Sequence, residues 1–285
     1  MLSNCETHAG EWYPTASLEG RIALVTGAGQ PDGIGQGVVR ALLAAGAAGV
    51  VFSDIDAEAG RASLRAVHDR FGGDSAVFLV QDVTSPEDWT RALGTVLDRF
   101  GGLDILVNNA GASFAGSLAS LSLDEVRRGL SVNFESQFIG MKACMAALAE
   151  RAPRWVGGTA IVNNSSVGAY LADPSNLTYN VSKAACRMLT MCAAKELGAK
   201  KIRVNSVHYG VIDTPLVRKS LERRVGLGQF PDTDTALAAM TAMSPLKTVG
   251  TPDDAGALVA FLASDEARYV TGAGYICDGG LTTQY

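Results

Sequence analysis

The sequence predicts an α/β protein: a three-layer, doubly wound parallel sheet of about seven strands with helices on both faces. Three observations lead there. Short apolar runs alternate along the chain with longer segments of helical pattern, the order that builds parallel β-α-β units. Several runs are continuous rather than alternating in polarity, as strands covered on both faces are. No repeat, low-complexity tract or linker divides the 285 residues, which suffice for one well-buried domain.

The elements follow in order. Residues 1–19 are polar and form an expected N-terminal extension; they lack the apolar region of a signal peptide and carry Glu6 and Glu11. A single domain is expected over residues 20–285. Its strands are expected at Ile22–Thr26, Gly49–Ser53, Ala76–Gln81, Ile105–Asn108, Thr159–Asn163, Ile202–Val207 and Gly274–Cys277. A helix from Ile34 to Ala45 follows a glycine-rich turn, and another spans Asp56 to Phe71. Ser85-Pro86-Glu87-Asp88 and Thr251-Pro252-Asp253-Asp254 read as helix starts: an N-cap, Pro at the first position, then acids near the positive helix end. Two long helices are expected at Leu123–Arg151 and Tyr179–Ala199. The irregular stretch of about 213–249 holds Leu216, Val217, Leu221, Leu227 and Phe230 and is expected to be a lid, since long loops in compact domains are usually functional.

Composition excludes several classes. A hydrophobic fraction of 47% argues against disorder. The net charge of −5 leaves no broad basic field, so neither nucleic acid nor an anionic membrane is an expected partner. The five cysteines are scattered without a C-x-x-C pair, and the three histidines show no ligand spacing. No metal is expected, and the free thiols suit a reducing compartment, so the protein is expected to be cytoplasmic. No run of about 18 apolar residues points to a membrane span.

Chemistry gathers at two places. Ile22–Thr26 runs into Gly27-Ala28-Gly29-Gln30-Pro31-Asp32-Gly33-Ile34-Gly35, and a helix follows. Strand, glycine turn and helix N-terminus together suit a dinucleotide diphosphate. Asp54 closes the second strand, where a carboxylate accepts from an adenosine ribose diol and repels a 2′-phosphate. No Lys or Arg lies in the glycine turn, so NAD is expected over NADP. Further on, Tyr179 and Lys183 stand four apart, and residues i and i+4 share a helix face. A cation beside a phenol favours its anionic form, which makes the pair a candidate acid/base.

With these motifs in sequence, the span from about Arg21 to Leu281 resembles the short-chain dehydrogenase/reductase family. Thr26-Gly27…Gly33-Ile34-Gly35 is similar to its glycine loop. Asp82-Val83 resembles its adenine-contacting pair, and Asn108-Asn109-Ala110-Gly111 its segment beside the cofactor. Asn133 falls where the family has its catalytic-helix Asn, and Ser166 with Tyr179 and Lys183 matches the catalytic set. The resemblance implies a Rossmann fold and hydride transfer between NAD(H) and an alcohol or ketone. Tyr179 would be the acid/base, and Lys183 would hold the nicotinamide ribose. Ser166 would bond the substrate oxygen, and Asn133 would steady a water linking Lys183 to solvent. Cofactor contacts would come from Gly27, Gly33, Ile34, Gly35, Asp54, Ile55, Asp82, Val83, Asn109, Ala110, Gly111, Tyr179, Lys183, Val211 and Thr214. The family also implies a homotetramer or homodimer, built through the two long helices.

Two departures stand out. Five residues separate Gly27 from Gly33 where the family pattern has three. Tyr209-Gly210 stands where the family usually has Pro-Gly, which places an aromatic near the substrate mouth. Tyr209, Phe114, Tyr170 and Leu171, with Ser166 and Tyr179, are the expected pocket residues, and they suggest an apolar cyclic, aryl or steroid-like substrate. Two alternatives stay open: an enoyl reductase of the related branch, and a catalytically idle NAD-binding regulator.

Overall fold

The structure, a computed structural model, describes residues 16–283. Seven strands form its sheet: β1 (Ile22–Val25), β2 (Gly49–Asp54), β3 (Ala76–Val80), β4 (Ile105–Asn108), β5 (Thr159–Ser166), β6 (Ile202–Tyr209) and β7 (Gly274–Cys277). Their order is β3-β2-β1-β4-β5-β6-β7, and every neighbouring pair is parallel. The helices are α1 (Ile34–Ala44), α2 (Ala57–Phe71), α3 (Pro86–Phe100), α4 (Leu123–Leu130), α5 (Ser136–Arg151), α6 (Leu177–Leu197), α7 (Pro215–Gly226), α8 (Thr233–Ala242) and α9 (Pro252–Ala263).

The sheet is covered on both faces. One core joins Val38, Val39 and Leu42 of α1 and Val259 and Leu262 of α9 to the strands. The other joins Trp89 and Val96 of α3, Cys144 and Leu148 of α5 and Leu197 of α6. This double cover explains the continuous apolar runs: Ile22–Val25 and Ile105–Asn108 are buried at every position. The expected helix starts form as caps. Ser85 Oγ accepts from the Asp88 N–H at 3.1 Å, and Thr251 and Asp254 close a capping box. No described helix is long and apolar enough to cross a membrane.

Two stretches depart in detail from their sequence pattern. The segment Leu123–Arg151 is not one regular helix: α4 passes into α5 through a π-turn at Ser131–Glu135. The 213–249 stretch is a hairpin of α7 and α8, anchored by buried Leu221 and Ala236 while Leu216, Leu227 and Leu246 stay exposed. Most of the expected N-terminal extension lies outside the described residues. At its end Leu18 is fully buried and its N–H donates to Ala45 O at 2.8 Å.

The N-terminal rim of the sheet is closed by charge. Asp104, fully buried before β4, accepts from the Ile22 N–H (2.9 Å), from Arg151 Nε and Nη2 (2.9 and 2.8 Å), and from Trp155 Nε1 (2.6 Å). Arg203 of β6 donates to the carbonyls of Gly157, Leu262 and Ser264, and burial pushes its pKa down to about 10. At the opposite rim the strand order reverses between β1 and β4. Loops leaving these two strands diverge and open a crevice at the carboxyl ends, where ligands of such sheets bind.

Candidate active site

Two loops line the floor of that crevice and are tied together. Gly27, with φ +63°, lies so close to the next loop that a Cβ would sit 2.5 Å from Ala110 Cα. Thr26 Oγ1 accepts from the N–H groups of Asn109 and Ala110, both at 3.2 Å. Asn109 Nδ2 returns the bond to the carbonyls of Thr26 (2.9 Å) and Gly27 (2.7 Å). At Gly35 a Cβ would fall 2.6 Å from Ala28 Cα, so this glycine lets α1 close up beneath the turn. The two extra residues of the turn are absorbed between Gln30 and Gly33, whose backbone bond measures 2.9 Å. Asp54 Oδ2 accepts from the Gly29 N–H at 2.7 Å and Oδ1 from the Asp56 N–H at 3.1 Å. The lengthened turn is thus pinned to the end of β2.

A cavity of about 650 Å³ runs over this floor. Gly27, Gly33 and Ile34 line its centre; Asp54, Ile55, Asp82 and Val83 line one end; Asn109, Ala110, Gly111 and Thr214 line the other wall. Its volume suits a ligand of cofactor size. Two observations fit a nicotinamide dinucleotide. Gly27 gives a bare backbone where a diphosphate must approach. Gln81 Nε2, buried and without a partner, sits on the wall beside Asp82, as a donor awaiting a ligand acceptor would.

A smaller cavity of about 100 Å³ adjoins it and is lined by Ser166, Tyr179, Lys183 and Tyr209. Ile34, Asn109, Gly111, Asn164, Thr214 and Leu216 line both cavities, so the two share a wall. Lys183 Nζ donates to Asn164 O at 3.1 Å and lies 5.5 Å from the Tyr179 ring centroid. Ser166 Oγ accepts from the Gly168 N–H at 3.1 Å and approaches Tyr209 O at 3.5 Å. Ser165 faces inward and donates to Lys183 O at 3.0 Å.

Asn133 sits in the π-turn, fully buried. Its Oδ1 accepts from the Ala112 N–H at 2.8 Å, and Nδ2 donates to Ala112 O at 2.9 Å and to Ser182 Oγ at 3.2 Å. Its side-chain amide therefore holds the strand exit after Gly111 rather than facing open space. Tyr209 is both pocket wall and core residue; it is 5% exposed, and burial pushes its phenol pKa up. Besides Gly35 and Asn133, four candidates line neither cavity: Tyr170, whose ring stands edge-on against His208, and three others. Phe114 packs under Arg128 and beside Gly129; Leu171 sits in the turn after β5; Val211 accepts a backbone bond from Gly250.

Two further residues carry the site and have no motif to mark them. Asn164 receives Lys183 on its carbonyl, donates to Asn109 Oδ1 at 2.9 Å, and takes a bond from Gln137 Nε2 at 2.9 Å. His208, fully buried, bonds Ser166 O through Nδ1 at 3.1 Å and Ser206 Oγ through Nε2 at 2.9 Å. Burial pushes its pKa down, which keeps the ring neutral.

Relatives agree with this architecture. A family model described as enoyl-(acyl carrier protein) reductase matches residues 27–282. The chain is 36% identical over 269 residues to a trans-4-hydroxycyclohexanecarboxylate dehydrogenase of Sinomonas cyclohexanicum, covering 92% of this chain and 93% of that one. It is 36% identical over 263 residues to a 3-alpha-(or 20-beta)-hydroxysteroid dehydrogenase of Mycobacterium tuberculosis, covering 92% and 90%. An NADP-dependent (R)-specific alcohol dehydrogenase of Lentilactobacillus kefiri is 32% identical over 275 residues, covering 95% and 100%. The solved structure of a Burkholderia xenovorans protein assigned as a short-chain dehydrogenase/reductase superposes with a TM-score of 0.84 at 31% identity, covering 94% and 98%. The chain belongs to the short-chain dehydrogenase/reductase family.

Proposed function

We propose that this chain is an NAD-dependent alcohol dehydrogenase/ketoreductase acting on an apolar, cyclic secondary alcohol or its ketone. The observation that carries the reading is the convergence of Ser166, Tyr179 and Lys183 on one small cavity that shares a wall with the larger one. A bound nicotinamide supplies the hydride acceptor in oxidation and the donor in reduction. Tyr179 takes the hydroxyl proton as the alcohol is oxidised and returns it in the reverse direction. Lys183, anchored on Asn164 O, sets a positive charge beside that phenol. Ser166 Oγ hydrogen-bonds the substrate oxygen, and the half-exposed Leu216 of α7 supplies apolar wall.

NAD is favoured by the Asp54 carboxylate on the cavity wall and by the lack of Lys or Arg between Gly27 and Ile34. The NADP-dependent relative makes this the first point to test. An enoyl reductase is the competing reading, favoured by the family model's description. Tyr179 and Lys183 four apart, and relatives named for alcohols, weigh against it. Exposed Phe138, Val181, Met188 and Met191 on α5 and α6 suit assembly of copies through those helices, which a solution mass would check.

The deciding experiment is a panel of cyclic, aryl and steroid alcohols and ketones, with an enoyl thioester, run with NAD and NADP in parallel. Turnover is expected on cyclic secondary alcohols with NAD. Tyr179→Phe is expected to lower kcat by at least about 10²- to 10⁴-fold while NADH still binds. Reduction of the enoyl thioester alone, or full turnover by that variant, overturns the reading.

A further inference from the structure

The larger cavity has one basic side chain on its wall. Among the described lining residues, Asp54 and Asp82 are acidic and Lys219 is the sole cation. Lys219 does not come from the sheet floor; it stands on α7, the first helix of the lid. Pro215, Leu216 and Lys219 line the cavity together, and positions three and four apart share a helix face. The next residue back is differently committed: Arg218 binds both oxygens of Asp213 (2.9 and 2.7 Å). Lys219 is exposed and forms no ion pair among the described residues.

The place of α7 fixes what this cation faces. The start of α7 shares the larger cavity with the glycine turn. Gln30, Gly33 and Lys219 line the same cavity. The floor there offers backbone amides and the N-terminus of α1, which suit a diphosphate, but no positive side chain. The same helix sends Leu216 and Val217 to the wall of the catalytic cavity. The N-terminal part of this 12-residue helix therefore touches both cavities, with Leu216 on the wall of each.

We propose that Lys219 binds the diphosphate of the dinucleotide from the lid side and thereby seats α7, so that cofactor binding forms the substrate pocket wall. This rests on the cofactor reading given above and goes beyond it: the site's order of binding, cofactor before substrate, becomes a property of one lysine. A hydrogen bond to a charged group, discounted for the solvent screening of an exposed lysine, is worth about five- to twentyfold in affinity.

The test uses the full chain, wild type and Lys219→Gln, with Lys219→Arg as the charge-conserving variant. Dissociation constants for NADH, NADP, ADP-ribose and adenosine are measured by calorimetry, and amide hydrogen exchange is followed across residues 215–226. ADP-ribose and NADH are expected to bind Lys219→Gln about five- to twentyfold more weakly, adenosine unchanged, with Lys219→Arg near wild type. ADP-ribose is expected to slow exchange in α7 of the wild type but not of Lys219→Gln. Equal ADP-ribose affinity in wild type and Lys219→Gln overturns this proposal alone. So does weakening confined to NADP, which would place the lysine on a 2′-phosphate. A wild type that binds no dinucleotide overturns the cofactor reading and the proposal with it.

Discussion

At the N-terminal rim of the sheet, Asp104 is enclosed by four donors and Arg203 by three carbonyls, with every charge answered inside the fold. At the C-terminal rim, hydrogen bonds join Thr26 to Asn109, Asn109 to Asn164 and His208 to Ser166, and the bonding stops short of completion. Gln81 Nε2 and Gln137 Oε1 stay without partners there, and two cavities remain. The same seven strands thus end in a saturated polar rim and an unsaturated one. Stability is concentrated where no ligand comes, and binding capacity where the polar groups still have bonds to offer. The start of α7 stands at the second rim, and the exposed Leu216, Leu227 and Leu246 show how little of the α7–α8 hairpin is fixed by packing.

The contrast can be broken most strongly at Asp104. Asp104→Ala leaves the Arg151 guanidinium buried without its partner and is expected to cost about 3–5 kcal/mol in denaturant unfolding. The folded fraction should keep its cofactor affinity. A variant as stable as wild type would dissolve the distinction between the rims.

A middle-sized effect lies in acid at the opposite rim. The His208 pKa is pushed below its ordinary value by burial, so below pH ~6.5 the unfolded chain holds a proton that the folded protein resists. The contribution is complete above that pH and is lost as pH falls. It amounts to at most about 1.4 kcal/mol per pH unit. Arg187 and Lys183 add to the same direction. Unfolding measured from pH 7 to 5 should show this slope in the wild type and less of it in His208→Gln. Equal slopes would mean that the neutral ring contributes nothing to the rim.

The smallest stability effect should come from the lid. Leu216→Ala is expected to change unfolding by no more than about 0.5 kcal/mol, since the side chain is half exposed. It should nonetheless raise KM for an apolar alcohol by about three- to tenfold, from lost apolar contact. A large stability loss with unchanged KM would move Leu216 from the site into the core.

The fold was legible because its information is local. Continuous apolar runs marked the strands, and Asp56, Ser85 and Thr251 marked helix starts that the structure forms as caps. Ser166, Tyr179 and Lys183 were legible as a spaced motif, and they do line one cavity. What escaped depends on distance in space. Asn164 looks like an ordinary polar strand residue until Lys183 arrives on its carbonyl from 19 positions away. Lys219 looks like one charge in a basic helix until the fold sets it on the wall of the larger cavity. Phe114 and Leu171 read as pocket aromatics and aliphatics by proximity to motifs, yet the chain directs them elsewhere. The π-turn has no sequence signature of its own, because the side-chain pattern of α4 and α5 remains helical throughout.

That π-turn has a consequence in helical phase. An α-helix advances about 100° per residue, so one surplus residue rotates everything on its far side by that angle. Asn133 reaches the backbone of Ala112 because α4 and α5 are out of step with each other by such an amount. Deleting a single residue between Ser131 and Glu135 would give a more regular helix and a poorer enzyme: the amide would swing off Ala112, and the exit from β4 would lose the clasp that holds it beside the cavity.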